Sequence, residues 1–93
     1  MASSKEYKDF ILDKLEGVTY KSMMGEYLLY YNKVLFGGIY DDRLLVKIVE
    51  SNKKYNMKES VPYENAKPMY LVDEVDNEEI LKNIVLDTYK DLK

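Results

Sequence analysis

The chain has 93 residues, a formal net charge of −3, 46% hydrophobic residues and 33% charged residues, which is typical of one small globular domain. It contains no cysteine and no histidine, which excludes disulfides, thiolate nucleophiles and most zinc, haem or iron–sulfur sites. Acid–base catalysis would require a carboxylate or lysine with a shifted pKa, and no spacing of residues in the sequence indicates one. We therefore expect residues 1–93 to form a single non-enzymatic domain without a cofactor.

The distribution of apolar and charged residues excludes two further classes. Apolar stretches reach only four or five residues, so no membrane span is predicted. The N-terminal residues are mostly polar and contain no apolar stretch, so we expect no signal peptide and a cytoplasmic location. Residues 43–72 hold six basic and three acidic residues, with one arginine in the whole chain. Direct nucleic-acid binding is therefore not expected, because such proteins usually present a strong basic excess.

The first predicted element is a helix that begins at Ser3, which has capping-box spacing with Glu6, and ends at Gly17. Its apolar stripe consists of Tyr7, Phe10, Ile11 and Leu15. Alternating and aromatic-rich runs then predict four strands, Val18–Met24, Glu26–Tyr31, Val34–Tyr40 and Arg43–Val49, which are separated by Gly25, Asn32-Lys33 and Asp41-Asp42.

The second half of the chain is less regular. A short helix is predicted within residues 51–57, a loop over residues 58–66, and an edge strand over residues 67–73, because Pro68 suits an edge position. The closing helix is expected to open at Asp76, with Glu79 completing a capping box. These elements predict a two-layer α+β fold, in which an antiparallel meander of four to five strands carries the N- and C-terminal helices on one face.

The hairpin over residues 34–49 predicts which side chains face the helices. With Asp41-Asp42 as its loop, one face is free of charge and consists of Leu35, Ile39, Leu44, Val46 and Ile48, to which the preceding strand adds Leu28 and Tyr30. The opposite face, called here the predicted aromatic face, consists of Tyr27, Leu29, Tyr31, Phe36, Tyr40, Arg43, Leu45 and Lys47. An open face of this kind marks a partner or oligomer interface. The alternative is that the short helix or the loop over residues 58–66 folds over it.

Three further motifs have a structural and a functional interpretation. Gly37-Gly38 lacks a following helix N-terminus, so close packing or a sheet bend is favoured over a phosphate cradle. The acidic cluster over residues 73–79 is interpreted as helix capping rather than a calcium or magnesium site. The lysines at positions 53, 54 and 58 are interpreted as a solvated segment rather than a single-strand-binding patch.

Several segments together resemble the N-terminal domain of the TfoX/Sxy family. They are Met23-Met24-Gly25-Glu26-Tyr27, Leu29-Tyr30-Tyr31-Asn32-Lys33-Val34-Leu35-Phe36-Gly37-Gly38-Ile39, Asp42-Arg43-Leu44-Leu45-Val46-Lys47, and Ala66-Lys67-Pro68-Met69-Tyr70 with the acids and helix that follow. The resemblance implies a two-layer fold similar to secretion-chaperone-like domains, with Gly25, Gly37 and Gly38 as fold-motif glycines and no catalytic residues. Full-length members regulate natural competence, act with the cyclic-AMP receptor protein, and carry a helical C-terminal domain that has no counterpart in these 93 residues.

Two functional hypotheses follow. The first is a regulatory or adaptor domain that contacts a protein partner or a second copy through the predicted aromatic face. The second is a small-ligand or nucleotide-binding module with a pocket between the sheet and the loop over residues 58–66. Tyr63 and Lys67 are the expected polar contacts of that pocket.

Overall fold

A computed structural model describes residues 4–93 as a six-stranded antiparallel sheet with two α-helices. In chain order the elements are α1 (Lys5–Lys14), β1 (Val18–Met23), β2 (Glu26–Tyr31), β3 (Val34–Tyr40), β4 (Arg43–Val46), a 3₁₀ helix (Glu50–Tyr55), β5 (Lys58–Ser60), β6 (Met69–Leu71) and α2 (Glu78–Leu92). The spatial order of the strands is β1-β2-β3-β4-β6-β5. Side chains of both α-helices join one cluster with the sheet, so the predicted two-layer α+β class is confirmed.

Both helices begin at a residue whose side chain accepts a backbone hydrogen bond. The Ser4 hydroxyl accepts from the Tyr7 amide at 3.1 Å, whereas the predicted cap, Ser3, lies outside the described residues. The Asn77 side chain accepts from the Ile80 amide at 3.1 Å. The predicted start at Asp76 was therefore wrong by one residue, because the amide oxygen of Asn77 satisfies the free N–H group of the first turn.

The sheet has one strand more than the largest predicted number. β5 lies inside the predicted loop over residues 58–66 and pairs with β6 from Lys58↔Leu71 to Ser60↔Met69. β6 is consequently an inner strand between β4 and β5, and its predicted edge position was wrong. β4 ends at Val46, three residues earlier than predicted.

The core lies between the helices and one face of the sheet. Its fully or almost fully buried members are Ile11, Leu15, Leu29, Phe36, Ile39, Leu44, Val46, Val72, Leu81, Ile84 and Val85. Phe10, predicted to belong to the apolar stripe of α1, is exposed, and Lys8 is buried in its place. The Lys8 ammonium lies 4.2 Å from the centroid of the Tyr20 ring and 2.9 Å from an Asp9 carboxylate oxygen. Cation–π attraction and the ion pair therefore compensate its burial.

A β-bulge between β2 and β3 determines which side chains reach this core. Tyr30 pairs with Leu35 and Leu29 pairs with Gly37, so Phe36 has no partner on β2. A bulge residue shifts the alternation of side chains by one position. Phe36 consequently lies on the same side as Leu29 and Ile39, in the core, while Leu35 lies on the other side.

The 3₁₀ helix is attached to α2 by polar contacts. Asn52 is fully buried, and its amide nitrogen donates to the Thr88 hydroxyl and to the Lys47 carbonyl oxygen, both at 2.8 Å. The Tyr55 hydroxyl donates to an Asp87 carboxylate oxygen at 2.6 Å. Burial, and then the bond to Asp87, raise the pKa of Tyr55 to about 12. The same bond is the main cause of the lowered pKa of Asp87.

The Tyr55–Asp87 contact predicts a loss of stability at alkaline pH. Because the pKa of Tyr55 is raised from 10.0 to about 12 on folding, its contribution is complete below pH 10 and is lost as the pH rises towards 12. Chemical denaturation should show Tyr55→Phe to be about 1 kcal/mol less stable than the wild type at pH 8, with a smaller difference above pH 10. A difference that stays constant over pH 8–12 would contradict the assignment.

Candidate functional site

The face of the sheet that points away from the helices carries the candidate site, and we call it the outer face. The pairing register places on it Leu28 and Tyr30 of β2, Leu35, Gly38 and Tyr40 of β3, Arg43 and Leu45 of β4, and Met69 and Leu71 of β6. None of these residues belongs to the core cluster beneath the helices. The outer face is therefore the side of the sheet on which a second layer or a partner has to pack.

The predicted aromatic face is not one surface. Leu29 and Phe36 are fully buried in the core, and Tyr27 and Tyr31 pack against that core. Their assignment was wrong because the bulge at Phe36 reverses the alternation between β2 and the second half of β3. The members on or beside the outer face are Tyr40, Arg43, Leu45 and Lys47, and Leu45 is itself fully buried.

Residues 61–68 return over part of the outer face, where Pro62, Tyr63 and Pro68 line one recess together with Tyr40 and Met69. Pro62 of this loop is buried, and the Tyr63 ring lies 6.3 Å from the Tyr40 ring, centroid to centroid. Arg43 holds the start of the loop: its guanidinium donates to the Ser60 hydroxyl and to the Val61 carbonyl oxygen. A third bond, from Arg43 Nε to the Tyr40 carbonyl oxygen at 3.2 Å, fixes the guanidinium on the sheet. Folding of this loop over the sheet is the alternative that the sequence left open, and the loop covers part of the face.

Loss of the Arg43 guanidinium should release this loop. Arg43→Ala removes three hydrogen bonds, so we expect about 1–2 kcal/mol lower stability and faster amide exchange over residues 61–68. Arg43→Lys should restore little of the lost stability, because an ammonium group cannot make the same set of hydrogen bonds as the planar guanidinium. Hydrogen exchange followed by mass spectrometry would measure this, with Lys21→Ala as the control on an exposed strand residue. Exchange in the loop that is equal in Arg43→Ala and the wild type would contradict the role.

Tyr40 and Tyr63 together form a wall between two recesses on the outer face, since both residues line both recesses. Burial, followed by the electrostatic effect of Tyr63, Glu26 and Tyr30, raises the pKa of Tyr40. Its phenol is therefore harder to ionise than that of an exposed tyrosine.

The first recess, called here the Met24 groove, has a volume of about 420 Å³. Its lining consists of Met23, Met24, Glu26, Leu28, Tyr40 and Tyr63. Met24 lies in the β1–β2 turn with a positive φ of 51°, and its side chain is 96% exposed. Met23 and Tyr63 are 51% and 65% exposed. Large side chains from the end of β1, the β1–β2 turn and the returning loop therefore line one open recess.

The second recess, called here the lysine cleft, has a volume of about 570 Å³ and lies between the sheet and the returning loop. Its lining consists of Tyr40, Lys47, Ile48, Pro62, Tyr63, Ala66, Lys67, Pro68 and Met69. This is the position predicted for a ligand pocket, with Tyr63 and Lys67 in its wall.

The remaining motifs do not form a site. Added Cβ atoms at Gly37 and Gly38 would lie 2.2 Å from the Leu45 carbonyl oxygen and 2.7 Å from the Tyr27 carbonyl oxygen, so both glycines permit close approach of neighbouring strands. In residues 4–93 no group of three acidic side chains is placed to hold a metal ion. Lys53 and Lys54 form ion pairs with Glu50 and Asp87 at 3.2 and 3.1 Å.

Sequence patterns pointed to only part of the two recesses. Met24 was predicted to end a strand, but it lies in a turn that begins one residue earlier than predicted, whereas Met23 is the last residue of β1 as expected of a strand residue. The glycine at position 25 was the signal in the sequence that could have indicated this turn, because glycine readily adopts positive φ. In the structure Gly25 has a φ of 84°.

No helix in residues 4–93 combines the length and apolar character needed to cross a membrane.

Comparisons with known proteins identify the family. Among curated proteins none matches the chain. The family described as the TfoX N-terminal domain matches residues 11–91, which include the whole sheet, the last four residues of α1 and all of α2 except Leu92. It is not a known enzyme family. The chain therefore belongs to the TfoX N-terminal domain family.

Proposed function

We propose that this chain is a non-enzymatic regulatory or adaptor domain that binds a protein partner in the Met24 groove. The observation that carries the proposal is the convergence of Met23, Met24 and Tyr63, all more than half exposed, on one recess. Exposed apolar clusters of this kind are typical of interaction sites. Methionine side chains also adapt to the shape of a partner.

The chemistry of the groove indicates the kind of partner. Its wall is apolar except for Glu26, whose carboxylate accepts a hydrogen bond from the Asp41 amide at 3.1 Å. The Glu26 carboxylate is thus already bound to the neighbouring turn, and the rest of the lining consists of large apolar and aromatic side chains. We therefore infer that the partner presents two or three large apolar side chains to the groove. An amphipathic segment satisfies this requirement.

Family membership supports a regulatory role for such a contact. Membership of the TfoX N-terminal domain family supports a regulatory, competence-associated role, and the proposed contact would connect this chain to transcriptional control of competence-type genes in the cytoplasm. Direct contact with nucleic acid is not part of the proposal, because the chain has a net charge of −3 and a single arginine.

Replacing the two methionines tests the proposal. Met23→Ser/Met24→Ser removes the apolar side chains at one end of the groove and leaves the net charge and the core unchanged. The matched control is Leu86→Ser, which changes a 42% exposed residue on α2. Immobilised wild-type chain should retain a specific protein that the double variant loses and the control keeps. Circular dichroism would establish that all three chains are folded.

Two results would overturn the proposal. Equal capture by the wild type and the double variant would show that the groove takes no part in binding. Light scattering that shows a wild-type dimer, and a monomer for the double variant alone, would assign the groove to a second copy instead of a different protein.

A further inference from the structure

The lysine cleft is the second recess of the outer face, and its chemistry differs from that of the Met24 groove. Its volume of about 570 Å³ falls within the range of about 300–1,000 Å³ that is typical of small-molecule sites. One wall is the sheet and the other is the loop that Arg43 holds in place. Both walls of the cleft are therefore held in place, one by the pairing of the sheet and the other by the hydrogen bonds of Arg43.

The charge in the cleft is positive and locally uncompensated. Lys47 and Lys67 line it, and no aspartate or glutamate does. In the described part of the chain, the ion pairs of lysines belong to Lys8, Lys53 and Lys54, so neither cleft lysine has a carboxylate within 4 Å. Two such ammonium groups in a recess of an acidic protein attract an anion.

The apolar part of the cleft is rich in rings. The rings of Tyr40 and Tyr63 lie 6.3 Å apart and are inclined by 55°, and Pro62 and Pro68 also line the cleft. Tyr63 is 65% exposed, so much of its ring is accessible to an aromatic ligand.

We propose that the lysine cleft binds a small organic anion that carries a planar ring. The anionic group lies between Lys47 and Lys67, and the ring packs against Tyr63. A nucleoside monophosphate and an aromatic carboxylate both have this chemistry. The proposal goes beyond the partner-binding function, because it rests on the two lysines rather than on the two methionines.

Titration followed by two-dimensional NMR tests this site with defined probes. AMP and benzoate each combine a ring with an anion, adenosine has only the ring, and inorganic phosphate has only the anion. At low salt we expect AMP, benzoate or both to shift the signals of Ile48, Lys67 and Met69. Adenosine and phosphate should bind at least about tenfold more weakly, since each lacks one of the two contacts. Whichever of AMP and benzoate binds more tightly identifies the preferred ligand class as a nucleotide or an aromatic carboxylate.

Charge-removing variants distinguish the cleft from unspecific attraction. Lys47→Met/Lys67→Met should weaken binding of the tighter probe by about tenfold, at about threefold for each lysine. Lys21→Met, which removes one charge from exposed strand β1, should leave it unchanged. The proposal is overturned if neither AMP nor benzoate shifts the cleft signals, if phosphate binds as tightly as the tighter of these two probes, or if the double lysine variant binds that probe as tightly as the wild type. Met23→Ser/Met24→Ser should still bind the probe, so failure of one proposal is distinguishable from failure of the other.

Discussion

Phe36→Ala is expected to destabilise the protein by about 3–5 kcal/mol. Phe36 is fully buried because the bulge between β2 and β3 turns its ring into the core beside Leu29 and Ile39. A domain of this size has a total stability of about 5–14 kcal/mol, so this substitution removes a large part of it. Thermal and chemical denaturation would measure the loss, and we expect the melting temperature to fall by about 12 °C or more.

The adjacent residue provides the control for Phe36. Leu35 is half-buried on the outer face and pairs with Tyr30, so Leu35→Ala should cost only about 1 kcal/mol. An uninterrupted strand without the bulge would reverse the order, with Leu35 in the core and Phe36 on the open face. A larger loss for Leu35→Ala than for Phe36→Ala would therefore contradict the bulge.

Gly37→Ala should have the second large effect, at least about 3 kcal/mol. The added Cβ would lie 2.2 Å from the Leu45 carbonyl oxygen and 2.9 Å from the Val46 Cα. Both are backbone atoms of the neighbouring strand, which pairs with β3 from Gly37↔Val46 to Tyr40↔Arg43. The methyl group can be accommodated only if β3 and β4 separate. We expect a variant that unfolds at a much lower denaturant concentration or does not fold at 25 °C.

Gly25→Ala separates this clash from an ordinary glycine effect. Gly25 is exposed in the β1–β2 turn and has a φ of 84°, so alanine there incurs mainly backbone strain, about 1 kcal/mol. Equal destabilisation by Gly37→Ala and Gly25→Ala would show that close strand approach is not what requires glycine at position 37.

Local signals in the sequence determine much of the fold correctly. The pairing of β3 with β4 follows from the Asp41-Asp42 turn, in which both residues adopt positive φ, and the structure has the predicted partners Ile39↔Leu44 and Gly37↔Val46. Two-residue turns fix register over a short distance, because each pair follows from the one before it. The same reasoning gave Tyr31↔Val34 and Tyr30↔Leu35 correctly.

The register beyond these pairs could not be predicted, for a physical reason. Apolar residues occupy both faces at the bulge: Leu28 and Leu29 are adjacent on β2, and Leu35 and Phe36 are adjacent on β3. A shift by one residue exchanges one apolar side chain for another, so the pattern of hydrophobicity does not distinguish the two arrangements. The close contact between Gly37 and the Leu45 backbone, which accompanies the bulge, depends on tertiary structure.

The candidate site was partly predictable for similar reasons. The lysine cleft was anticipated through Tyr63 and Lys67, because a loop rich in polar residues next to a sheet can form one wall of a pocket. The Met24 groove was not anticipated, since it joins the β1–β2 turn to residue 63, which is about forty positions away in the chain. Contacts at such separation leave no periodic signal in one sequence.

Photo-crosslinking from position 24 tests the Met24 groove as the functional surface most directly. A chain in which Met24 is replaced by p-benzoylphenylalanine would be expressed in the cells that naturally produce the protein and then irradiated. We expect a crosslink to one protein other than the chain itself, at a residue whose neighbours include large apolar side chains. The same label at Leu86, on the exposed side of α2, should give no such product. No crosslink from position 24, or the same product from both positions, would contradict binding in the groove.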